Sequence, residues 1–228
     1  RHCLSTKFAR PPIRRQVLEH ADGALPLLAL VGHFRALRPA YAAAAWAVCF
    51  SQPGSAAASG DALILDVRNG FEHDVGHFAG AERAPIRTMQ EWKAYVDASD
   101  VVGRSRGRPV LMYCTGGVRC ERATAALRAA MPEQKDRVFH LKGGIVGYMD
   151  EGLEGFAGAN YVFDRRNRHG AAPRGSDHIL GRCLACRKPW DVYRGSATCA
   201  KCKVRVLLCD ACLSSRDHEA LVCELCAA

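Results

Sequence analysis

Hydrophobic positions along this chain come in two patterns. In three short runs, residues 62–67 (ALILDV), 109–113 (PVLMY) and 138–141 (VFHL), apolar side chains follow one another instead of alternating with polar ones. Such runs predict strands covered on both faces, as in a parallel sheet. Between and after them lie helical patterns. Residues 88–98 carry Thr88 and Glu91 in the spacing of a capping box. Residues 120–130 (CERATAALRAA) are strong helix formers. Gly143-Gly144 opens a further helix over 145–152. Strand followed by helix, three times over, predicts an α/β fold: a parallel sheet with helices on both faces.

Outside this core the patterning changes. Residues 34–50 are alanine-rich and predict a helix, and 52–60 (QPGSAAASG) is a small-residue linker. Residues 164–176 (DRRNRHGAAPRGS) have the composition of an exposed linker. The organisation expected is an N-terminal extension over 1–60, an α/β domain over 61–163, a basic linker over 164–176 and a cysteine-rich module over 177–228. Because the chain begins at Arg1, the extension is read as a fragment of a preceding domain plus linker.

Composition narrows the class. With 49% hydrophobic and 24% charged residues the chain is not an extended disordered polymer. No apolar run approaches the ~20 residues of a membrane helix, so no membrane partner is expected. Residues 24–31 form the longest candidate and include a proline, while Glu19 and Asp22 speak against a signal peptide. The formal charge of +9 is concentrated: residues 164–206 hold eleven Arg/Lys against three Asp. A strip of this kind attracts phosphate backbones.

Eight of the twelve cysteines lie in the last 46 residues as four C-x-x-C pairs: Cys183/Cys186, Cys199/Cys202, Cys209/Cys212 and Cys223/Cys226. Two residues between thiolates let both converge on one tetrahedral ion, so two structural zinc ions, each held by four cysteines, are expected. Iron–sulfur is the rival, and the spacing leaves sequential and interleaved pairing both open. Free thiols imply an intracellular, reducing compartment, in the cytoplasm or an organelle. Each four-thiolate zinc unit carries a charge of −2, which offsets much of the arginine excess.

The sharpest chemical feature is residues 113–121, Tyr113-Cys114-Thr115-Gly116-Gly117-Val118-Arg119-Cys120-Glu121, between a strand and a helix N-terminus. Two glycines let the amides of Thr115, Gly116, Gly117 and Val118 form an anion-binding loop, the helix adds its positive end, and Arg119 adds a cation. All three favour a thiolate on Cys114, or a persulfide carried there. Cys120 stands where it could resolve an oxidised Cys114 as a disulfide.

With Asp66-Val67-Arg68, Glu72, Gly76-His77-Phe78-Ala79-Gly80-Ala81 and Gly143-Gly144, the loop resembles the rhodanese family over about residues 61–163. Four residues separate Cys114 from Arg119, one fewer than in related phosphatase loops. The run Cys114–Glu121, residues 141–145, residues 161–164 and the cysteine-rich tail are together similar to the tRNA uridine-34 5-hydroxylases. That resemblance implies a rhodanese-like sheet, an oxidoreductase acting on the wobble uridine of tRNA with Cys114 as reacting sulfur and Arg119 as its catalytic partner, and arginines of residues 164–176 on tRNA phosphates. His77 is read as structural. Two alternatives stand beside this: a sulfurtransferase moving sulfane sulfur from a small donor through a Cys114 persulfide, and a non-catalytic interaction module. The oligomeric state is not legible in the sequence.

If the loop poises a thiolate, limited alkylation near neutral pH followed by peptide mapping should label Cys114 before Cys3 or Cys49.

Overall fold

A computed structural model of the chain describes residues 40–41, 46, 59–162, 179–215 and 220–227. Five parallel strands form the main sheet: β1 (Ala40–Tyr41), β2 (Leu63–Asp66), β4 (Glu82–Arg83), β5 (Val110–Tyr113) and β6 (Val138–Leu141), in the order β1-β6-β5-β2-β4. A small antiparallel pair, β3 (Gly76–Phe78) and β7 (Phe156–Gly158), lies beside it. The helices are α1 (Gly70–His73), α2 (Glu91–Ala98), α3 (Val101–Ser105), α4 (Val118–Ala130) and α5 (Gly144–Asp150). In the cysteine-rich module lie α6 (Asp210–Ser214) and α7 (Glu224–Ala227).

The unbroken apolar runs are explained by burial on both faces. Ile64, Leu111, Tyr113, Phe139 and Leu141 point into one core with Phe78, Tyr148 and Phe156. Leu63, Leu65, Val110, Met112 and Val138 point into a second core under α2 and α4, with Trp92, Val96, Ala123 and Leu127. Successive strand side chains face opposite ways, so a strand between two cores has no position left for solvent. The parallel registers place Leu63 opposite Val110 and Val110 opposite Val138. The carboxyl ends of β2 and β5 therefore lie side by side, and that end of the sheet carries Asp66 and Cys114.

Two expectations change. Residues 34–50, predicted helical, supply a strand: Ala40–Tyr41 pairs with His140–Leu141 at the sheet edge. Trp46 is fully buried in the first core, 5.9 Å from the Phe78 ring. A vacant parallel edge outweighs local helix propensity at Ala40–Tyr41, while Trp46 is helical as expected. Ala40–Tyr41 and Trp46 thus pack with the sheet that follows residue 60. Thr88 and Glu91 make no capping box; the Glu91 carboxylate accepts from the Arg87 amide (2.8 Å), because the helix starts only at Glu91. The basic linker 164–176, Cys3 and Cys49 lie outside the described residues.

Gly143-Gly144 does more than start a helix. The amides of Ile145 and Val146 donate to the carbonyls of Cys114 and Thr115, both at 3.0 Å. This approach is open only because Gly144 (φ +63°) has no Cβ: one placed there would stand 2.4 Å from the Thr115 oxygen and 2.6 Å from that of Cys114. The second glycine pair thus buttresses the cysteine loop. Gly144→Ala should destabilise the fold by about 3 kcal/mol, from the left-handed backbone and the backbone clash together. Urea unfolding of the two proteins measures this.

Candidate active site and cysteine clusters

Strand β5 ends at Tyr113 and delivers Cys114 into the turn before α4. Cys114 is 1% exposed, and its Sγ accepts a hydrogen bond from the Gly117 amide at 3.1 Å. Gly117 caps α4 at φ 91°, a left-handed conformation that turns its N–H inward. Gly116 and Val118 face solvent, Val118 at 73% exposure.

The thiol of Cys114 is lowered to about 6. The largest contribution is a hydrogen bond from the Cys120 thiol, working against burial, which raises it. The Cys120 amide, the Arg119 charge and the Gly117 amide add to the lowering. Cys120 is pushed the other way, well above the ordinary thiol range, by burial and then by its neighbour Cys114. The two shifts run in opposite directions, so Cys114 is the sulfur favoured as the anion and Cys120 the one that keeps its proton. Both are free thiols.

Arg119 is held differently from a bare cation. Its guanidinium grips the buried Glu72 carboxylate in bidentate fashion, Nη1 to Oε2 at 2.6 Å and Nη2 to Oε1 at 2.7 Å. Nη2 also donates to the Thr115 hydroxyl (2.8 Å), and that hydroxyl donates to Glu72 Oε1 (2.9 Å). Glu72 in turn accepts from the Asn69 amide at 3.2 Å. The guanidinium is thus oriented by Glu72 and Thr115, and its charge acts on the sulfur after the Cys120 thiol and amide and ahead of the Gly117 amide. Glu72 belongs to the quoted family pattern, but its role was not legible, because its partner Arg119 is 47 residues away.

Behind this layer lies a second buried ion pair. Arg68 and Asp66 are both fully inaccessible and meet at 2.7 Å, with Arg68 also donating to the Gly76 carbonyl (2.6 Å). Burial alone would keep Asp66 protonated; Arg68 and then His73 overturn this and hold its carboxyl well below the usual range. His73 Nδ1 lies 2.9 Å from Asp66, and its ring stacks on His77 at 4.1 Å. His77 Nδ1 bonds the His73 carbonyl (3.0 Å), as expected of a structural histidine.

In the cysteine-rich module the pairing is interleaved. Cys183, Cys186, Cys209 and Cys212 form one group, Cys199, Cys202, Cys223 and Cys226 the other, with sulfurs in each within 4.8 Å of one another. A tetrahedral ion with thiolates at about 2.3 Å sets its sulfurs about 3.8 Å apart. The Cys186–Cys209 and Cys202–Cys223 separations are 3.8 and 3.6 Å, so both groups fit such an ion. Cys183 and Cys199 each sit at about 6: burial opposes the anion, and backbone amides outweigh it. The amides are those of Cys186, Cys209 and Ala185 for Cys183 and of Cys202, Cys223 and Lys201 for Cys199; each turn is closed by a further backbone amide, Arg187 N–H on the Cys183 carbonyl (2.9 Å) and Lys203 N–H on that of Cys199 (3.0 Å).

A family model for the rhodanese-like domain matches residues 55–151, and a second, described as Rhodanase C-terminal, matches residues 157–227. The chain is a rhodanese-like domain protein. It is 35% identical over 171 residues to Rhodanese-like domain-containing protein 6 of Arabidopsis thaliana, covering 72% of this chain and 28% of that protein. The tRNA uridine(34) hydroxylase of Erwinia tasmaniensis is 33% identical over 165 residues, covering 69% of this chain and 44% of that enzyme. That of Escherichia coli (strain 536) is 37% identical over 138 residues, covering 58% and 37%. The rhodanese-like chain thus spans less than half the length of these relatives. Among the described residues no helix is long and apolar enough to cross a membrane.

Alkylation of Cys114 by a small reagent such as iodoacetamide should follow a titration with its midpoint at about 6. Cys120→Ala removes the principal donor, and the midpoint should rise toward the ordinary thiol value of ~8.5. An unchanged midpoint would mean that Cys120 does not hold the proton.

Proposed function

We propose that this chain is the sulfur-bearing part of a tRNA-modifying enzyme of the wobble-uridine hydroxylase type. Cys114 is the reacting group. The Gly117 and Cys120 amides, with the Cys120 thiol, stabilise negative charge on its sulfur, and Arg119 positions the loop through Glu72 and Thr115. The observation that carries this reading is a sulfur only 1% exposed that accepts a hydrogen bond from the Gly117 amide at the N-terminus of α4. A buried structural cysteine has no use for a donor set built for an anion. The substrate class comes from the tRNA uridine(34) hydroxylases to which the chain is similar. Cys120 is placed to take up an oxidised Cys114 as a disulfide.

Cells lacking the full-length protein should lose 5-hydroxyuridine-derived modification at tRNA position 34, read by mass spectrometry of digested tRNA. Wild-type protein should restore it and Cys114→Ser should not. Restoration by Cys114→Ser would remove Cys114 from the reaction.

A second reading is supported by the same cradle, since amide and thiol donors around an anionic sulfur also suit a persulfide. Turnover of thiosulfate sulfur through Cys114, without any change in tRNA, would favour the sulfurtransferase.

For the two cysteine groups we infer zinc, as the closed four-thiolate sets have no open position for substrate. They supply folding energy to a module with little apolar core of its own. Elemental analysis should give two zinc per chain, and a chelator should unfold residues 179–227 while leaving the sheet intact. Iron with visible absorbance would overturn the assignment.

A further inference from the structure

A cavity of about 290 Å³ lies where the rhodanese-like unit meets the cysteine-rich module. Five arginines line it: Arg83 and Arg87 from the first unit, Arg182, Arg187 and Arg205 from the second. Arg83 is neutralised by Asp74 and Glu224, both at 3.0 Å. Arg87 turns Nη2 to the Leu225 carbonyl (3.1 Å) and to Cys226 Sγ (3.5 Å). The other three have no carboxylate partner among the described residues. Arg182 has only the Arg187 carbonyl at 3.3 Å.

Two donors in this wall are buried with nothing to bond: Nη1 of Arg205 and Nε of Arg87. A buried N–H without an acceptor costs about 1–3 kcal/mol, more on a charged group. Arginines from both units lining one cavity fit an acceptor ligand that bridges them. Guanidinium groups arrayed in a cleft suit tetrahedral oxyanions that accept several hydrogen bonds at once. The Cys199 group lies beside this wall: Cys223 lines the cavity and Cys226 accepts from Arg87, so Arg87 serves those thiolates while Arg182, Arg187 and Arg205 remain for a ligand.

We propose that this cleft is a phosphate-binding site. Helix α1 forms a shared wall. Its Glu72 holds Arg119 and the cysteine loop, while its Gly70, Phe71 and His73 line the cleft. A phosphate seated there is linked to the Cys114 loop through this short helix. Resting on the tRNA reading above, the phosphates are those of the nucleic-acid backbone; a small phosphorylated compound shares the same chemistry. The wall is held in place by Tyr193, whose hydroxyl donates to the Phe71 carbonyl at 2.7 Å.

The test uses the metal-loaded full chain and two probes, inorganic pyrophosphate by calorimetry and unmodified tRNA by anisotropy across a salt series. The variant is Arg182→Gln with Arg205→Gln, and the control is Lys93→Gln with Lys135→Gln on exposed positions outside the cleft. The Cys114 alkylation midpoint and zinc content verify that the variant is folded. The variant should weaken pyrophosphate binding at least about tenfold. Two lost phosphate contacts should reduce the log–log salt slope for tRNA by about 1.4–1.8, with the control unchanged. No pyrophosphate binding by the wild type, or a variant with unaltered pyrophosphate affinity and tRNA slope, overturns the site. Pyrophosphate binding lost in the variant, with no tRNA binding by the wild type, sustains the site for a small phosphorylated ligand and sinks the tRNA reading.

Discussion

An anionic sulfur with almost no access to water must be solvated by the protein itself, and the architecture around Cys114 meets that requirement. A charge buried without partners would simply take up a proton. Here the Gly117 amide donates to Sγ, and the Cys120 thiol and amide are the further groups that favour its anion. None of these donors is free to move. The amides belong to the first turn of α4, and the turn is pinned from below by the amides of Ile145 and Val146 on the carbonyls of residues 114 and 115. The thiol lowering is therefore a property of the whole carboxyl end of the sheet.

Two buried ion pairs extend this rigidity outward. Glu72 and Arg119 lock the loop to α1, and Asp66 and Arg68 lock the segment preceding α1 to the end of β2 and to Gly76. Removing one partner from such a pair leaves an uncompensated charge, which costs more than the intact pair contributes. The pairs act as orienting devices more than as sources of stability. Through Phe71, which makes edge contacts with Tyr161 and Tyr193, the same short helix is joined to the cysteine-rich module. One element of four residues thus touches the cysteine loop, the arginine cleft and the second module.

The central strands and the long helix α4 were legible because their patterns are local. Continuous apolar runs mean two covered faces, and residues 138–141 were placed without error. The short helices α1 and α3 and the pair β3–β7 were not legible, since three to five residues carry no periodicity and their pairing is long-range. The edge strand at Ala40–Tyr41 was misread because alanine favours helix when nothing competes, and here β6 offers hydrogen-bond partners.

By itself the sequence determined the chemistry available: a cysteine before a glycine turn, an arginine and a helix, and eight thiolates in C-x-x-C spacing. Residue type and local backbone freedom decide such things, and both are written in the chain. Only the tertiary structure decided how those groups are used. It paired the first cysteine pair with the third and the second with the fourth, which spacing alone left open. It made Cys120 the main donor to the thiolate and turned Arg119 toward Glu72. It also set two arginine-bearing walls across one cavity. Each of these depends on distances between residues far apart in sequence, which are fixed by the packing of the sheet and by the docking of the second module.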